Sequence, residues 1–283
     1  MSPCDIICRM YYLVAILLAV IQGLTEFIPI SSSGHLAVTQ YFLGFPEPPV
    51  AFDVVLHLGT LAAVLVFYRK DVVSIFLQLR RPFQLIRPDW HSDNPGKLLA
   101  LLIIACIPTA VMGALLKNRV ESAFSSVIYI GAGFLLSGFI MISTIKQRKN
   151  SRTLVEMNAK DAFLIGTMQG VALFPGVSRS GSTISAALLL GISPELAGRF
   201  SFLLSIPAVL GAVVLESKAI EAQIGNAHNL ILYGTSGVLA GVIGYLSIGP
   251  LIRILRASRF HYFALYCWMI GLILLLYLWQ TNT

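Results

Sequence analysis

Two short polar segments interrupt an otherwise apolar chain, and together they hold the residues with the greatest chemical capacity. The first polar segment is residues 22–35, QGLTEFIPISSSGH, and the second polar segment is residues 174–183, FPGVSRSGST. Between them they carry one carboxylate, one imidazole, one guanidinium and several hydroxyls. These groups suit an anionic, phosphorylated substrate, because phosphoryl transfer is catalysed mainly by positioning and by stabilising negative charge.

Ser32 and His35 form the minimal pair of nucleophile and base in the first polar segment. Three positions separate them, so on a helix the hydroxyl and the imidazole share one face. A hydroxyl within reach of an imidazole can be activated as a nucleophile. The sequence therefore predicts a catalytic Ser32–His35 pair, with attack by His35 itself or by an activated water as the alternatives.

Glu26 follows Gln22 by four positions, which places both side chains on one helix face. A carboxylate beside a neutral oxygen ligand suits a divalent cation that bridges the phosphates of a substrate. We therefore expect a catalytic and metal-binding role for Glu26, with Gln22 as a candidate second ligand. Mg²⁺ is the expected ion and Ca²⁺ is the alternative.

Arg179 is the most informative single residue of the second polar segment. An arginine at membrane depth needs an anionic partner, and its planar guanidinium can bind a phosphate through two parallel hydrogen bonds. The sequence predicts that Arg179 binds the substrate phosphate, and the alternative is a structural ion pair with Glu26. Both can hold when the substrate is absent. For Arg199, a second phosphate contact and an interfacial position remain equally open, and His57 and Asp53 are interpreted as supporting or helix-start groups.

The serine- and glycine-rich turns of both polar segments should each open a helix. Backbone N–H groups at the start of a helix bind phosphate, aided by the helix dipole. Capping of the helix by the serine side chain is the simpler alternative. The residues predicted to bind the substrate phosphates in this way are Ser31, Ser33, Gly34, Ser178, Ser180, Gly181 and Thr183.

The composition indicates a membrane protein. Of the 283 residues, 57% are hydrophobic and only 12% are charged, whereas a soluble domain has roughly 25% charged residues. We therefore predict one all-α polytopic membrane domain over residues 1–283. The net charge of +7 does not indicate a nucleic-acid partner, because the basic residues lie in short loops between apolar runs.

The lengths of the apolar segments predict six spans and two re-entrant hairpins. A spanning helix needs about 20 residues, and three apolar segments that adjoin the polar ones are shorter, namely 34–43, 161–174 and 181–192. We interpret residues 11–43 and 161–192 as hairpins that enter and leave the membrane on the same face. The six apolar segments left to span the membrane are 51–68, 98–117, 125–145, 199–216, 230–252 and 260–279.

The distribution of basic residues predicts the orientation. Loops 69–97, 146–160 and 253–259 carry six, five and three Lys or Arg residues, and the opposite side of the predicted topology carries four. Because basic loops remain in the cytoplasm, we expect both termini and the first polar segment to face outside.

The two halves of the chain repeat each other. FIPISSSGH followed by FDVVLHLG in the first half parallels FPGVSRSGS followed by FSFLLSIP in the second. With the predicted hairpins, repeat one (about 11–145) and repeat two (about 161–279) have inverted topology. Inverted repeats with broken helices place a binding site near the middle of the membrane.

Both polar segments resemble the signature regions of the undecaprenyl-diphosphate phosphatase family, also called the bacitracin-resistance family. The resemblance runs along nearly the whole chain and includes FDVVLHLGTLAAVLVF and GRFSFLLSIPAVLGA. The family's E/Q-x-x-x-E motif falls on Gln22 and Glu26, its Pro-x-Ser-Ser-x-Gly-His motif ends at His35, and its Pro-Gly-x-Ser-Arg-Ser-Gly motif surrounds Arg179. Gln22 replaces the glutamate of some members, which lowers the negative charge of the site.

The resemblance implies hydrolysis of undecaprenyl diphosphate to the monophosphate carrier lipid at the outer face of the bacterial plasma membrane, with a divalent cation. It also implies recycling of that lipid for cell-wall polysaccharide synthesis, and bacitracin resistance. The expected partners are the polyprenyl diphosphate and membrane lipid, and a homodimer is a candidate assembly. A lipid-phosphate transporter is the alternative, because inverted repeats also occur in transporters. The Ser32–His35 pair favours the enzyme, because transport needs no nucleophile.

Overall fold

The computed structural model describes residues 3–43, 50–79, 94–146, 151–224 and 227–281. These residues form twelve α-helices and two short 3-10 helices, and their only β-pairing is a single bridge between Arg152 and Ile192. In chain order the α-helices are α1 Pro3–Thr25, α2 Ser32–Phe42, α3 Val50–Phe67, α4 Arg69–Leu79, α5 Pro95–Phe124, α6 Val127–Ile142, α7 Ala159–Val171, α8 Arg179–Leu189, α9 Pro194–Leu215, α10 Ser217–Ile224, α11 Ala227–Arg256 and α12 Phe263–Thr281. The 3-10 helices are Ser143–Lys146 and Phe260–Tyr262. The predicted all-α class is confirmed.

Five of the described helices are long and apolar enough to cross a membrane: α5, α6, α9, α11 and α12. A sixth span results if α3 and α4, which meet at an angle of 86°, are counted as one broken span. The protein is therefore a multi-pass membrane protein, with spans at the places that the sequence predicts.

Both polar segments lie where a helix is broken. The first runs from the end of α1 across the break to the first turn of α2, and the second runs from the break after α7 into the start of α8. Pro29 and Pro175 contribute to these breaks, because proline has no N–H to continue a helical hydrogen-bond ladder. Gly176 has φ +82°, a left-handed conformation that glycine adopts without strain. The breaks agree with the predicted hairpins, while their return to the same membrane face stays a prediction.

Several helix pairings match those expected if, as the predicted repeat requires, α1 corresponds to α7, α3 to α9, α5 to α11 and α6 to α12. Helix α1 packs against α11, and α7 packs against α5. Helix α6 packs against α12, and α3 packs against α9 as well as α11. The inverted orientation of the two halves stays a prediction.

Helix α8 forms the centre of this arrangement. Residues 180–188 are all buried, and the helix contacts α6, α7 and α9. Phe27, from the first polar segment, is fully buried, and its ring packs edge-on against Phe202 of α9 at a centroid distance of 5.3 Å. The residues around both breaks are therefore held by the core of the protein.

Arg152 joins the two ends of the second predicted hairpin, residues 161–192. Its guanidinium donates to both carboxylate oxygens of Asp161, at 3.2 and 2.6 Å, and to the backbone oxygen of Leu190, at 2.7 Å. Asp161 lies in the first turn of α7 and Leu190 directly follows α8. One side chain thus ties the start of the hairpin to its end.

Candidate active site

The two polar segments meet in the structure. Arg179 Nη2 donates a hydrogen bond to Glu26 Oε1, across 153 positions of sequence. The backbones are also close, because a Cβ atom placed on Gly34 would lie 2.9 Å from Gly176 Cα. Glu26 is only 7% exposed, and a buried carboxylate needs a charged or hydrogen-bonding partner. The Glu26–Arg179 ion pair, one of the two alternatives from sequence, is therefore present in the protein without substrate.

Ser32 points at the same carboxylate. Its hydroxyl donates to Glu26 Oε2 at 2.5 Å, and Gln22 Nε2 donates to that oxygen at 3.1 Å. Gln22 and Glu26 thus share a face, as their spacing predicts. Glu26 accepts hydrogen bonds from three side chains, and one of these donors is the candidate nucleophile.

His35 and Ser32 are hydrogen-bonded to different groups in this structure, and their catalytic pairing stays a prediction. The Nδ1 atom of His35 lies 2.8 Å from the backbone oxygen of Ser31, and its Nε2 atom lies 2.8 Å from the hydroxyl of Tyr266. Ser32, the first residue of α2, donates to the buried Glu26 carboxylate. This acceptor is preferred to the His35 imidazole because hydrogen bonds to charged acceptors are stronger than those to neutral ones. Spacing on a helix identified the shared face but not this competing acceptor.

The helix starts show capping at both turns. Gly34 N–H donates to Ser31 Oγ at 3.2 Å, and Gly181 N–H donates to Ser178 Oγ at 3.0 Å. Each cap satisfies one N–H group, whereas the first four N–H groups of a helix have no partner within it. Capping therefore leaves other first-turn N–H groups for an anion, so the two sequence alternatives are compatible.

The remaining hydroxyls divide into two groups. The Ser33 and Ser180 hydroxyls lie 3.5 and 3.4 Å from the capping oxygens of Ser31 and Ser178, close to the helix starts. Thr183 is fully buried and is bonded to the backbone oxygen of Arg179 at 2.8 Å and to Ser201 Oγ at 2.6 Å. To donate to a phosphate, Thr183 would have to give up its hydrogen bond to the Arg179 backbone oxygen, because a hydroxyl has one hydrogen to donate.

Two residues outside the polar segments reach the site. His57 Nε2 lies 3.7 Å from Glu26 Oε2, and its Nδ1 lies 2.7 Å from the backbone oxygen of Asp53. The sequence interpretation of His57 as a supporting group is compatible with this position. Tyr266 was missed, because a single tyrosine inside an apolar run has no distinguishing pattern.

Arg199 has a partner that the sequence did not indicate. Its Nη2 donates to Asp71 Oδ1 at 2.5 Å, which joins α9 to the start of α4. The ion pair was not foreseen, and the two alternatives for Arg199, a second phosphate contact and an interfacial position, stay predictions.

The predicted cation ligands fit a divalent ion only when the substrate contributes further oxygens. Gln22 Oε1 is buried and has no hydrogen-bond partner among the described residues, so it is a free oxygen ligand. Glu26, by contrast, is already bonded to Arg179, Ser32 and Gln22. Within the described parts of the chain, no three His, Cys, Asp or Glu residues cluster as metal ligands. Phosphate oxygens and water would complete the coordination shell, as is usual for Mg²⁺.

The chain is similar in sequence to known proteins over most of its length. A family model described as "Bacitracin resistance protein BacA" matches residues 15–273. A protein of Syntrophotalea carbinolica named undecaprenyl-diphosphatase is 42% identical over 263 residues, which cover 93% of this chain and 97% of that protein. Proteins with the same name from Desulforapulum autotrophicum and Methanosphaera stadtmanae are 39% and 38% identical, over 91% and 92% of this chain and 95% of each relative.

Proposed function

The chain belongs to the BacA family of bacitracin resistance proteins, and on this premise we propose that it hydrolyses undecaprenyl diphosphate to undecaprenyl phosphate and inorganic phosphate. The protein is a membrane-embedded hydrolase acting on a phosphoric anhydride. The observation that carries its mechanism is the hydrogen bond of 2.5 Å from Ser32 to Glu26, beside Arg179. This arrangement places the nucleophile Ser32, the base Glu26 and the phosphate-binding guanidinium of Arg179 side by side in one buried site.

Arg179 changes partner when the diphosphate binds. In the free protein one guanidinium nitrogen donates to Glu26, and the side chain is 21% exposed. The diphosphate carries more negative charge than one carboxylate, and guanidinium binds phosphate in a two-point geometry. The open N–H groups at the starts of α2 and α8 bind the same oxygens. Glu26 is thereby released from its cationic partner and can hold a proton.

Ser32 attacks the terminal phosphorus. As the bond from Ser32 Oγ to phosphorus forms, the bond from phosphorus to the bridging oxygen breaks, and the serine proton passes to Glu26 Oε2. Undecaprenyl phosphate leaves. A water molecule then attacks the phosphoserine, the bond from phosphorus to Ser32 Oγ breaks, and the proton held by Glu26 returns to Ser32 Oγ. The water oxygen and its protons leave with the inorganic phosphate. A positioned general base contributes roughly 10²- to 10⁴-fold to such a step. Attack by water without a covalent intermediate is the alternative.

A divalent cation would be held by Gln22 Oε1 and the phosphates, with Mg²⁺ as the first candidate and Ca²⁺ as the second. Glu26 would be a further ligand only if another group accepted the serine proton, because a metal-bound carboxylate does not take up a proton. The cation would supply charge neutralisation on the phosphate oxygens.

We further propose a plasma-membrane location with the site and both termini facing outside, because fourteen basic residues lie in the loops of the opposite side. The product lipid would then re-enter cell-wall polysaccharide synthesis. The predicted homodimer is tested by the mass of the purified protein in detergent.

Phosphate release from undecaprenyl diphosphate by the purified protein tests the function. We expect release by the parent protein, a loss of at least about 10²-fold in Ser32→Ala, and normal release by the control Ser217→Ala, which changes an exposed serine. Lipid binding without any release by the parent protein would contradict hydrolysis and favour a transporter.

A further inference from the structure

Tyr266 connects the last described helix to the first polar segment. Its hydroxyl lies 2.8 Å from His35 Nε2, and the two rings are stacked at 14° with their centroids 5.7 Å apart. The next residue, Cys267, is fully buried, and its Sγ lies 3.8 Å from the backbone oxygen of Pro29. Helix α12 therefore contacts this segment at two neighbouring points, although more than 230 positions separate them in the sequence.

The hydrogen bonds of His35 determine its tautomer. Its Nδ1 lies 2.8 Å from the backbone oxygen of Ser31, and a carbonyl oxygen can only accept, so Nδ1 carries the hydrogen. In the neutral ring Nε2 is then the acceptor, and the Tyr266 hydroxyl is the donor that occupies it. Phe134 packs edge-on against the same ring at 5.1 Å. Both nitrogens of His35 are thus engaged, and neither is free to take the proton of Ser32.

The carbonyl that His35 holds belongs to a residue in an unusual conformation. Ser31 has φ 66° and ψ 92°, in the left-handed half of conformational space that non-glycine residues seldom adopt. Such conformations persist where the surrounding structure fixes them, and they concentrate at functional sites. Ser31 directly precedes Ser32, so its backbone angles set the position of the Ser32 Cα and Cβ atoms from which the hydroxyl reaches Glu26.

We propose that Tyr266 is a positioning residue for this reaction, a role that rests on the hydrolysis proposed above. The Tyr266 hydroxyl fixes the His35 ring, the ring N–H holds the Ser31 carbonyl, and the strained turn aims Ser32 at Glu26. His35 then stabilises the conformation of the turn through its hydrogen bond to the Ser31 carbonyl. The proton of Ser32 passes to Glu26 and not to His35.

Tyr266→Phe tests the proposal, because it keeps the stacked ring and removes only the donor. The loss of one hydrogen bond between neutral groups corresponds to about 2- to 13-fold in rate. We therefore expect kcat for phosphate release to fall by about that factor, with KM changed less than about twofold, since Tyr266 is not expected to touch the substrate. Tyr262→Phe is the matched control, because it makes the same change on an exposed side chain 60% accessible to solvent.

A double-mutant cycle shows whether Tyr266 acts through His35. In a His35→Ala background, measured by single turnover with enzyme in excess, Tyr266→Phe should cause no further loss, because residues that act as one unit are not additive. The same fold-loss in both backgrounds, or an unchanged kcat in Tyr266→Phe, would overturn the proposal. A parent protein that releases no phosphate would instead reject the proposed function.

A measurement on the unmutated protein keeps the test decisive if a variant does not fold. Nitrogen NMR of histidine-labelled protein distinguishes the two neutral tautomers, and a His35→Gln sample assigns the signal. We expect His35 to carry its hydrogen on Nδ1. The Nε2-protonated tautomer would contradict the hydrogen-bond chain from Tyr266 to Ser31.

Discussion

Arg179→Lys separates a phosphate-binding arginine from a structural counter-ion. Lysine keeps the positive charge and can still pair with Glu26, but it is a point charge without the planar fork of guanidinium. In the structure one nitrogen of Arg179 is used by Glu26, and the side chain remains 21% exposed. The substitution therefore removes the second phosphate hydrogen bond and leaves the internal ion pair in place.

The magnitude follows from that one lost contact. A hydrogen bond that involves a charged group contributes about 1.5–3 kcal/mol, which corresponds to roughly 10- to 150-fold in kcat/KM. Because the ion pair with Glu26 can be kept, we expect the protein to remain folded. Its melting temperature in detergent should change much less than its activity.

Phosphate release and thermal unfolding are measured on the same preparations. Arg199→Lys is the matched control, because Arg199 forms a similar partly buried ion pair with Asp71 at 2.5 Å outside the polar segments. We expect Arg199→Lys to retain most of the activity. Near-normal activity in Arg179→Lys would show that Arg179 is only a counter-ion, and equal losses in both variants would indicate a general effect on the fold.

Three further predictions concern packing, the cation and the orientation. Gly59→Ala should lower the free energy of unfolding by more than about 1–3 kcal/mol, because the new Cβ would overlap the backbone oxygen of Gly237. The control Gly211→Ala should unfold at the parent temperature, because no atom lies within 4 Å of its new Cβ. Chelation should lower phosphate release, added Mg²⁺ should restore it, and unchanged release with chelator would reject the cation. A single cysteine at Ser151 should resist an impermeant thiol reagent in intact cells, and strong labelling there would reverse the proposed orientation.

The helix breaks were predictable from sequence, because their causes are local. Proline and glycine interrupt the helical pattern at Pro29 and Gly176, and a polar run cannot face lipid. Three of the apolar segments beside the breaks, 34–43, 161–174 and 181–192, agree with the observed helices to within three residues, whereas α1 begins at Pro3, eight residues before the predicted segment 11–28. Pairing of Glu26 with Arg179 was also foreseeable as an alternative, since an arginine at membrane depth requires an anion.

The contacts inside the site were not predictable, because they depend on helices that are distant in sequence. Spacing placed Ser32 and His35 on one face, but the packing of α12 brought Tyr266 to His35 and left Glu26 as the acceptor for Ser32. The bend of 86° between α3 and α4 likewise places Asp71 beside Arg199. An apolar pattern identifies which residues form a helix, but it does not identify the partner of each polar side chain.

The stereochemical course at phosphorus tests the central mechanism most directly. The substrate would be undecaprenyl diphosphate made chiral at its terminal phosphorus with sulfur and oxygen isotopes, hydrolysed by the purified protein, and the configuration of the released thiophosphate would be determined. Attack by Ser32 followed by attack of water involves two in-line displacements, each of which inverts the phosphorus. We therefore predict overall retention of configuration. Inversion would show a single direct attack by water and would contradict Ser32 as the nucleophile.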